Sequence, residues 1–187
     1  MSENAADLNS IFNLSRANVL VVDDCSFSLQ LTCQALLAFG VRTRYQCRSA
    51  AEAEEILATE VIDLAVVDCD MPGKDGYDLV RDLRASGRDP NAYAPVIMLA
   101  SHTRRSRILA ARDCGANFTI ARPISPNVLL DRILFVARAP RQFLIAPGYA
   151  GPDRRFRDEE RELADERRAN RIAMLTAQAN KPEGSVA

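Results

Sequence analysis

The chain has 187 residues, of which 48% are apolar and 26% are charged, and its formal net charge is -1. This length suits one domain with an appendage, and the apolar fraction excludes a wholly disordered chain. The nearly balanced charge argues against a basic nucleic-acid coat protein or an acidic tail protein.

Membrane and zinc-binding signatures are not found along the chain. The longest apolar runs are far shorter than the roughly 20 residues of a membrane helix, and residues 1–17 show no secretory signal pattern. The five cysteines include no C-x-x-C pair and His102 is the single histidine, so we do not expect a Cys/His zinc site. We interpret the cysteines as free thiols and expect a cytoplasmic protein with no membrane insertion.

Short apolar runs and helical periodicities alternate from residue 18 to residue 138. Residues 1–17 are mostly small and polar and are predicted to be a flexible leader. Predicted strands lie at 19–22, 41–47, 64–67, 96–99 and 118–121. Predicted helices lie around 29–37, 49–57, 79–83, 104–114 and 126–136.

Local signals mark where several of these helices begin and end. Ser49 and Glu52 form a capping box, and Ser125 followed by Pro126 is typical of a helix start. Gly40 is predicted to end the first helix. The apolar stripe of that helix comprises Leu29, Cys33, Leu36 and Leu37.

Five strands alternating with five helices predict an α/β fold with a doubly wound parallel sheet that helices cover on both faces. Sheets of this kind bind ligands at the carboxyl ends of their strands. The sequence therefore predicts the functional site at that edge of the sheet.

The composition changes after residue 138. Prolines and glycines predict a linker over 139–152, although the string 149–155 is organised enough to suggest that it docks against the domain. Residues 153–171 hold seven arginines and seven acids, often three or four positions apart, so 153–176 is predicted to be a charged helical extension. Residues 177–187 are predicted to be a disordered tail.

Three carboxylates are predicted to meet at the ligand-binding edge. Asp23 and Asp24 follow the first strand, and Asp68 follows the apolar run of the third. One such pair 4 Å apart repels by about 4 kcal/mol at an effective dielectric constant of 20. A hard divalent cation removes this penalty, and Mg²⁺ prefers oxygen ligands. The trio therefore predicts a magnesium site that attracts a phosphoryl group.

Several motifs occur in order along this region. They are Val-Leu-Val-Val-Asp23-Asp24, Val-Val-Asp68-Cys-Asp-Met71-Pro72-Gly-Lys-Asp75-Gly76, Pro95-Val-Ile-Met-Leu, and Gly115-Ala116 followed by Arg122-Pro123. With these motifs the chain resembles the CheY-like receiver domain of two-component response regulators over residues 18–138. The resemblance implies a flavodoxin-like, five-stranded sheet in the order 2-1-3-4-5.

The resemblance also implies roles for individual residues. Asp68 would accept a phosphoryl group from the phosphohistidine of a sensor histidine kinase or phosphotransfer protein. Asp23, Asp24 and Asp68 would hold Mg²⁺ together with the backbone carbonyl of Asp70, and the metal would offset charge on the transferring phosphoryl. Receivers usually have a cis peptide at the position of Arg122–Pro123.

Three positions depart from the receiver pattern. Arg122 stands where the family has a lysine, and its planar fork replaces a compact ammonium. We expect the fork either to clamp a phosphoryl group or to pair permanently with Asp68. Ala100 stands where the family has Thr or Ser, and the neighbouring Ser101 would need a bulge to replace it. Thr119 stands at the aromatic switch position. We therefore expect Asp68 to accept phosphate while the conformational response is altered and reduced.

Arginines cluster after the fourth predicted strand and in the extension. The candidates for an anion or nucleotide site are Arg104, Arg105, Arg107, Arg112, Arg154 and Arg155. Arginine binds phosphates through two nitrogens and stacks on bases. Some CheY-like flagellar receivers carry an added arginine-rich stretch and bind cyclic di-GMP with it. A solvated helix face in an arginine-rich chain is nevertheless the favoured interpretation of this cluster.

The favoured interpretation is a single-domain response regulator that turns over no outside substrate. It would signal by contact with a downstream protein through the fourth helix, the fifth strand and the C-terminal extension. The alternatives are a receiver-fold effector that binds cyclic di-GMP, and a degenerate receiver that acts as a scaffold. DNA binding is not expected, because no helix-turn-helix follows and the extension is charge-balanced.

Overall fold

The structure is a computed structural model that describes residues 13–101, 105–138 and 141–153. The strands are β1 (Asn18–Val22), β2 (Thr43–Cys47), β3 (Leu64–Asp68), β4 (Val96–Ala100), β5 (Phe118–Ala121), β6 (Phe143–Ala146) and β7 (Tyr149–Pro152). The helices are α1 (Ser26–Ala38), α2 (Ala50–Thr59), α3 (Gly76–Ala85), α4 (Arg105–Asp113) and α5 (Pro126–Arg138). Short 3₁₀ turns span Leu14–Arg16 and Asn91–Tyr93.

Strands β1 to β5 form one parallel sheet in the order β2-β1-β3-β4-β5. This confirms the predicted α/β fold, its doubly wound sheet and the strand order 2-1-3-4-5. Val22 at the end of β1 lies in register with Cys47 of β2 and Val67 of β3. The carboxyl ends of these strands therefore meet at one edge of the sheet.

Each face of the sheet has its own apolar core. Val67 packs with Leu79 of α3 in one core, and Val66 packs with Leu36 of α1 and Leu129 of α5 in the other. Neighbouring residues of a strand enter opposite cores because side chains alternate between faces. Strands β3 and β4 are buried along their whole length, which explains why their sequences are nearly continuous apolar runs.

The predicted capping box begins helix α2. The Ser49 hydroxyl accepts a hydrogen bond from the Glu52 amide at 3.2 Å. The Glu52 carboxylate accepts from the Arg48 amide at 2.7 Å, one residue before the helix cap. The start of α2 is therefore set by local hydrogen bonds that the sequence pattern predicts.

Strand β2 begins later than predicted because of the way in which α1 ends. Gly40 has a φ of +92°, and the amide of Val41 donates to the Leu36 carbonyl at 3.0 Å. Because Val41 caps the helix, β2 begins at Thr43 rather than at residue 41 as predicted. The predicted apolar stripe of α1 is wrong at Leu37, which is 48% exposed.

Residues 143–152, predicted to lie in a linker, form an antiparallel hairpin of β6 and β7. The Phe143 ring packs edge-on against Tyr93 with 4.7 Å between centroids. Gly151 approaches Gly115 so closely that a Cβ on Gly151 would lie 2.6 Å from the Gly115 Cα. Tertiary contacts therefore order a segment whose composition is typical of a linker.

A buried arginine supports this hairpin. Arg84 of α3 is 4% exposed, and its guanidinium donates to the carbonyls of Gly115 at 3.0 Å and Ala92 at 2.7 Å. The same group lies over the Phe143 ring, 5.5 Å from its centroid. Burial lowers the pKa of Arg84 to about 10. These contacts join α3 to the hairpin and to the loop between α4 and β5.

The chain divides into two compact units, residues 1–152 and residues 153–187. The helical extension predicted for 153–176 lies outside the described residues beyond Asp153, as do the tail at 177–187 and positions 1–12 of the leader. Among the described helices, none combines the length and apolar character that crossing a membrane requires.

Candidate functional site

The three predicted carboxylates meet at the carboxyl edge of the sheet. Asp23 and Asp24 directly follow β1, and Asp68 is the last residue of the adjacent β3. One carboxylate oxygen from each residue lies within 4.8 Å of the others. The Asp23 side chain is fully buried and that of Asp68 is 5% exposed. The fold therefore holds three acids close together in a pocket largely withdrawn from solvent.

Burial raises the pKa of Asp68 to about 6. The Arg122 guanidinium opposes this rise, whereas the negative charges of Asp23, Asp24 and Asp70 add to it. Ionised Asp68 is therefore held in unfavourable surroundings, and positive charge in the pocket lowers its free energy.

Arg122 brings that positive charge. It follows β5, and its amide donates to the Ala100 carbonyl at 2.9 Å. Its Nη2 bonds the Asp23 carboxylate and lies 3.1 Å from Asp68 Oδ1. The Arg122–Pro123 peptide is cis, as the resemblance implied. One guanidinium nitrogen thus contacts two of the three acids.

The donor set fits a hard divalent cation. The Oδ1 of Asp68 is buried without a hydrogen-bond partner among the described residues, although Arg122 lies within ion-pair distance. Carboxylate oxygens are the ligands that Mg²⁺ prefers, and a buried oxygen without a hydrogen bond is costly unless a cation or donor satisfies it. Asp23, Asp24 and Asp68 can hold such an ion, and the role of the Asp70 carbonyl stays a prediction.

The loop after β3 approaches Asp68 without room for a side chain. A Cβ on Gly76 would lie 2.0 Å from the Asp68 carbonyl oxygen. The Asp75 carboxylate accepts from the Asp78 amide at 2.9 Å and caps α3. The motif contains Asp75 and Gly76, but sequence reasoning assigned neither a role. An acid that can cap a helix, followed directly by glycine, was the sequence signal that could have indicated the start of α3 here.

Two of the three atypical positions, Ala100 and Thr119, lie in the neighbouring strands β4 and β5. Ala100 is buried at the end of β4, and Ser101 beyond it is exposed. The register between β4 and β5 continues through Ala100 and Ala121 without a bulge. Thr119 is half-buried in β5, in register with Met98. The position that carries a hydroxyl in the receiver pattern therefore holds the buried methyl group of Ala100.

Two of the six candidate arginines have fully described side chains. Arg107 lies 3.3 Å from the Asp70 carboxylate and stacks over the Tyr77 ring. Arg112 lies 3.5 Å from the carboxylate of its neighbour Asp113. The side chain of Arg105 and the whole of Arg104, Arg154 and Arg155 lie outside the described residues. An arginine-based nucleotide site stays a prediction.

An apolar groove that the sequence pattern did not predict opens beside Arg122. It has a volume of about 320 Å³, and Arg122 and Pro123 form part of its wall. Phe27 and Leu31 of α1 line it and are 73% and 57% exposed. Their spacing, out of phase with the buried stripe of α1, was the signal that could have indicated an exposed apolar face.

Comparison with known proteins agrees with this geometry. The family model of the response regulator receiver domain matches residues 19–134. The chemotaxis protein CheY of Pseudomonas aeruginosa is 30% identical over 115 residues, which are 62% of this chain and 91% of that protein. The sensory/regulatory protein RpfC of Xanthomonas campestris is 29% identical over 146 residues, which are 75% of this chain and 20% of that protein.

Solved structures show the same fold. The receiver domain of a histidine kinase from Syntrophus aciditrophicus is 27% identical with a TM-score of 0.58, and the match covers 70% of this chain and 97% of that one. Chemotaxis protein CheY4 of Vibrio cholerae is 24% identical with a TM-score of 0.60, over 64% and 98% of the two chains. With its acidic pocket and parallel sheet, the chain belongs to the response regulator receiver domain family of two-component signalling.

Proposed function

We propose that this protein is a response regulator in which Asp68 accepts a phosphoryl group from a phosphohistidine. The observation that carries the proposal is the Asp68 carboxylate itself. It is buried, one of its oxygens has no hydrogen-bond partner among the described residues, and it lies beside two acids and a guanidinium. A carboxylate held this way, beside a guanidinium and in a pocket suited to a divalent cation, can attack phosphorus as a nucleophile.

In the proposed transfer, an Asp68 oxygen forms a bond to phosphorus as the phosphorus–nitrogen bond of the phosphohistidine breaks. The imidazole leaves and takes up a proton from solvent. Asp23, Asp24 and Asp68 would hold a magnesium ion, which would supply positive charge to offset the negative charge of the phosphoryl oxygens. The protein turns over no outside substrate in this scheme, because the product is its own acyl phosphate.

Arg122 is proposed to bind the transferred group. Its Nε is buried and has no hydrogen-bond partner among the described residues. A guanidinium has five N–H donors in a planar fork, so this side chain can keep one carboxylate and donate to phosphoryl oxygens. Arg122 would thus replace the family lysine, with its hydrogen-bond donors in a different geometry.

The groove beside Arg122 is proposed to receive the phosphodonor protein. Phe27 and Leu31 present apolar surface next to the pocket, and Arg122 borders both the groove and Asp68. A partner that presents a phosphohistidine among apolar side chains fits this arrangement. Exposed aromatic and aliphatic side chains of this kind are typical anchors of protein interfaces.

Intact mass spectrometry after incubation with Mg²⁺ and acetyl phosphate tests the proposal. We expect one added phosphoryl in the wild type, none in Asp68→Asn, and none when a chelator removes the metal. Addition of equal mass to Asp68→Asn would show that another residue is the acceptor. No addition to the folded wild type would refute the proposed chemistry.

The proposal includes a cytoplasmic location and a downstream protein partner on the face of α4 and β5. The five cysteines are unpaired, as expected for proteins in reducing compartments. The effector of cyclic di-GMP and the scaffold remain alternative predictions. Saturable binding in a cyclic di-GMP titration would favour the effector. An Asp68→Asn strain that behaves like wild type would favour the scaffold.

A further inference from the structure

Arg107 connects helix α4 to the loop that follows Asp68. Its Nη1 lies 3.3 Å from Asp70 Oδ1 in the loop between β3 and α3. The guanidinium also lies over the ring of Tyr77, with 5.7 Å to the centroid. Tyr77 belongs to the first turn of α3 and is 4% exposed. One side chain of α4 therefore contacts the loop of the acidic pocket and the start of the next helix.

The backbone on both sides of Asp70 is fixed by packing. Cys69 is fully buried and Met71 nearly so. The Cys69 amide donates to the Leu99 carbonyl at 2.9 Å, and its carbonyl accepts from the Gly76 amide at 3.2 Å. The Asp70 side chain, one-third exposed, instead faces Arg107. The Asp70 carboxylate is therefore a point of contact between this loop and α4.

The hydroxyl and the aromatic ring that respond to the phosphoryl group in the receiver pattern are both replaced here. Ala100 has no hydroxyl, and Thr119 has no ring. We propose that Arg107 is a positioning residue that acts through Asp70 to couple the state of the Asp68 pocket to helix α4. This inference rests on the proposed phosphoryl transfer, because it concerns how that event is communicated.

The chemistry of the contact suits such a coupling. The Arg107 and Asp70 side chains are 47% and 33% exposed, so the ion pair can rearrange without exposing a buried charge. A phosphoryl group on Asp68 adds negative charge two residues from Asp70. A guanidinium can bond a carboxylate and a phosphoryl oxygen together, which draws Arg107 and α4 toward the pocket. The response is then concentrated in α4 rather than in β5.

Amide NMR spectra of the full chain with Mg²⁺ and beryllofluoride test the coupling. In the wild type we expect shifts in α4 (Arg105–Asp113) and little change in β5. Arg107→Gln is expected to reduce the α4 shifts by at least about threefold, whereas Arg107→Lys keeps most of them because it retains the ion pair. Arg112→Gln is the matched control, since Arg112 lies on the same helix and pairs with its neighbour Asp113.

Two further measurements make the outcome decisive. Asp70→Asn removes the partner carboxylate and is expected to reduce the α4 shifts as Arg107→Gln does. Unchanged β1 amides show that each variant is folded, and a Mg²⁺ titration read on the same α4 amides provides a second probe. Equal α4 shifts in wild type and Arg107→Gln overturn the inference. So does a wild type in which neither probe shifts α4.

Failure of the inference can be distinguished from failure of the proposed function. Intact mass after acetyl phosphate treatment reports phosphoryl addition independently of α4. If the wild type takes up a phosphoryl group but the α4 shifts are the same in Arg107→Gln, only the coupling is overturned. Absence of addition to the wild type overturns the proposed function.

Discussion

Gly76 and Asp68 are in direct backbone contact: a Cβ on Gly76 would lie 2.0 Å from the carbonyl oxygen of Asp68. A side chain fits this space only if α3 or the Asp68 carbonyl moves. The contact sets the distance between the N-terminus of α3 and the end of β3. It therefore holds the backbone of Asp68 close to the start of α3.

Replacement of Gly76 by alanine is expected to damage both stability and the pocket. The added methyl group must push α3 or the Asp68 carbonyl aside, which costs about 1–3 kcal/mol as overpacking does elsewhere. Urea unfolding measures the loss of stability, and intact mass after acetyl phosphate treatment measures the loss of phosphoryl uptake.

Gly73→Asn is the matched control for that substitution. Gly73 lies in the same loop with a φ of +78° and no atom near a built Cβ. Asparagine tolerates this backbone region better than most residues, so we expect a small change in stability. An alanine at Gly76 that leaves both stability and uptake at wild-type levels would contradict the contact.

Arg84→Met is expected to destabilise the domain. Methionine fills part of the volume but leaves the carbonyls of Gly115 and Ala92 without their donor. Leaving buried acceptors unpaired costs about 1–3 kcal/mol each. Chemical unfolding of the full chain measures the effect. Arg88→Met, a change at an exposed arginine, is the control and is expected to stay within about 0.5 kcal/mol of wild type.

Gly151→Ala is expected to loosen the hairpin from the domain. A Cβ at this position would lie 2.6 Å from the Gly115 Cα and 2.7 Å from the Tyr149 hydroxyl oxygen. Limited chymotrypsin digestion should then cut faster at Phe143 and Tyr149 than in the wild type. Gly148→Asn in the hairpin turn, where a Cβ meets open space, should leave the digestion rate close to that of wild type. Equal rates for wild type and Gly151→Ala would argue against docking through the glycine pair.

The five thiols are expected to differ sharply in reactivity. Cys25 is exposed, whereas the other four are buried. Burial raises the pKa of Cys47 to about 11, of Cys69 to about 12 and of Cys114 to about 11. Because the thiolate is the reactive form, native protein at mildly alkaline pH should gain one rapid iodoacetamide adduct by mass spectrometry.

Cys25→Ser provides the control for this labelling. It should remove the rapid adduct and leave the slow labelling of the buried thiols unchanged. Rapid formation of two or more adducts in the folded wild type would show that the buried thiols become exposed to solvent.

Much of the fold follows from patterns that the sequence carries locally. Apolar runs at β3 and β4 are continuous because both strands are buried on both faces. Ser49 and Glu52 begin α2 through hydrogen bonds that span four residues. The acidic trio could be predicted because parallel strands present their carboxyl ends at one edge, whatever the packing details.

The hairpin itself could not be predicted in this way, although the string 149–155 was organised enough to suggest docking against the domain. Phe143 and Gly151 lie in a segment whose prolines and glycines are typical of linkers. Their partners Tyr93 and Gly115 are distant in sequence, and only the folded domain brings them together. Composition reports the flexibility of an isolated segment, whereas docking depends on a complementary surface elsewhere in the chain.

The sequence by itself determined the α/β architecture, the edge where the site lies and the identity of its acids, because these follow from period, strand order and residue type. Only the tertiary structure decided which partners the charged side chains take. Arg122 contacts Asp23 and Asp68, and Arg107 contacts Asp70. Such pairings depend on the distance and angle between separate elements, and local periodicity carries no information about either.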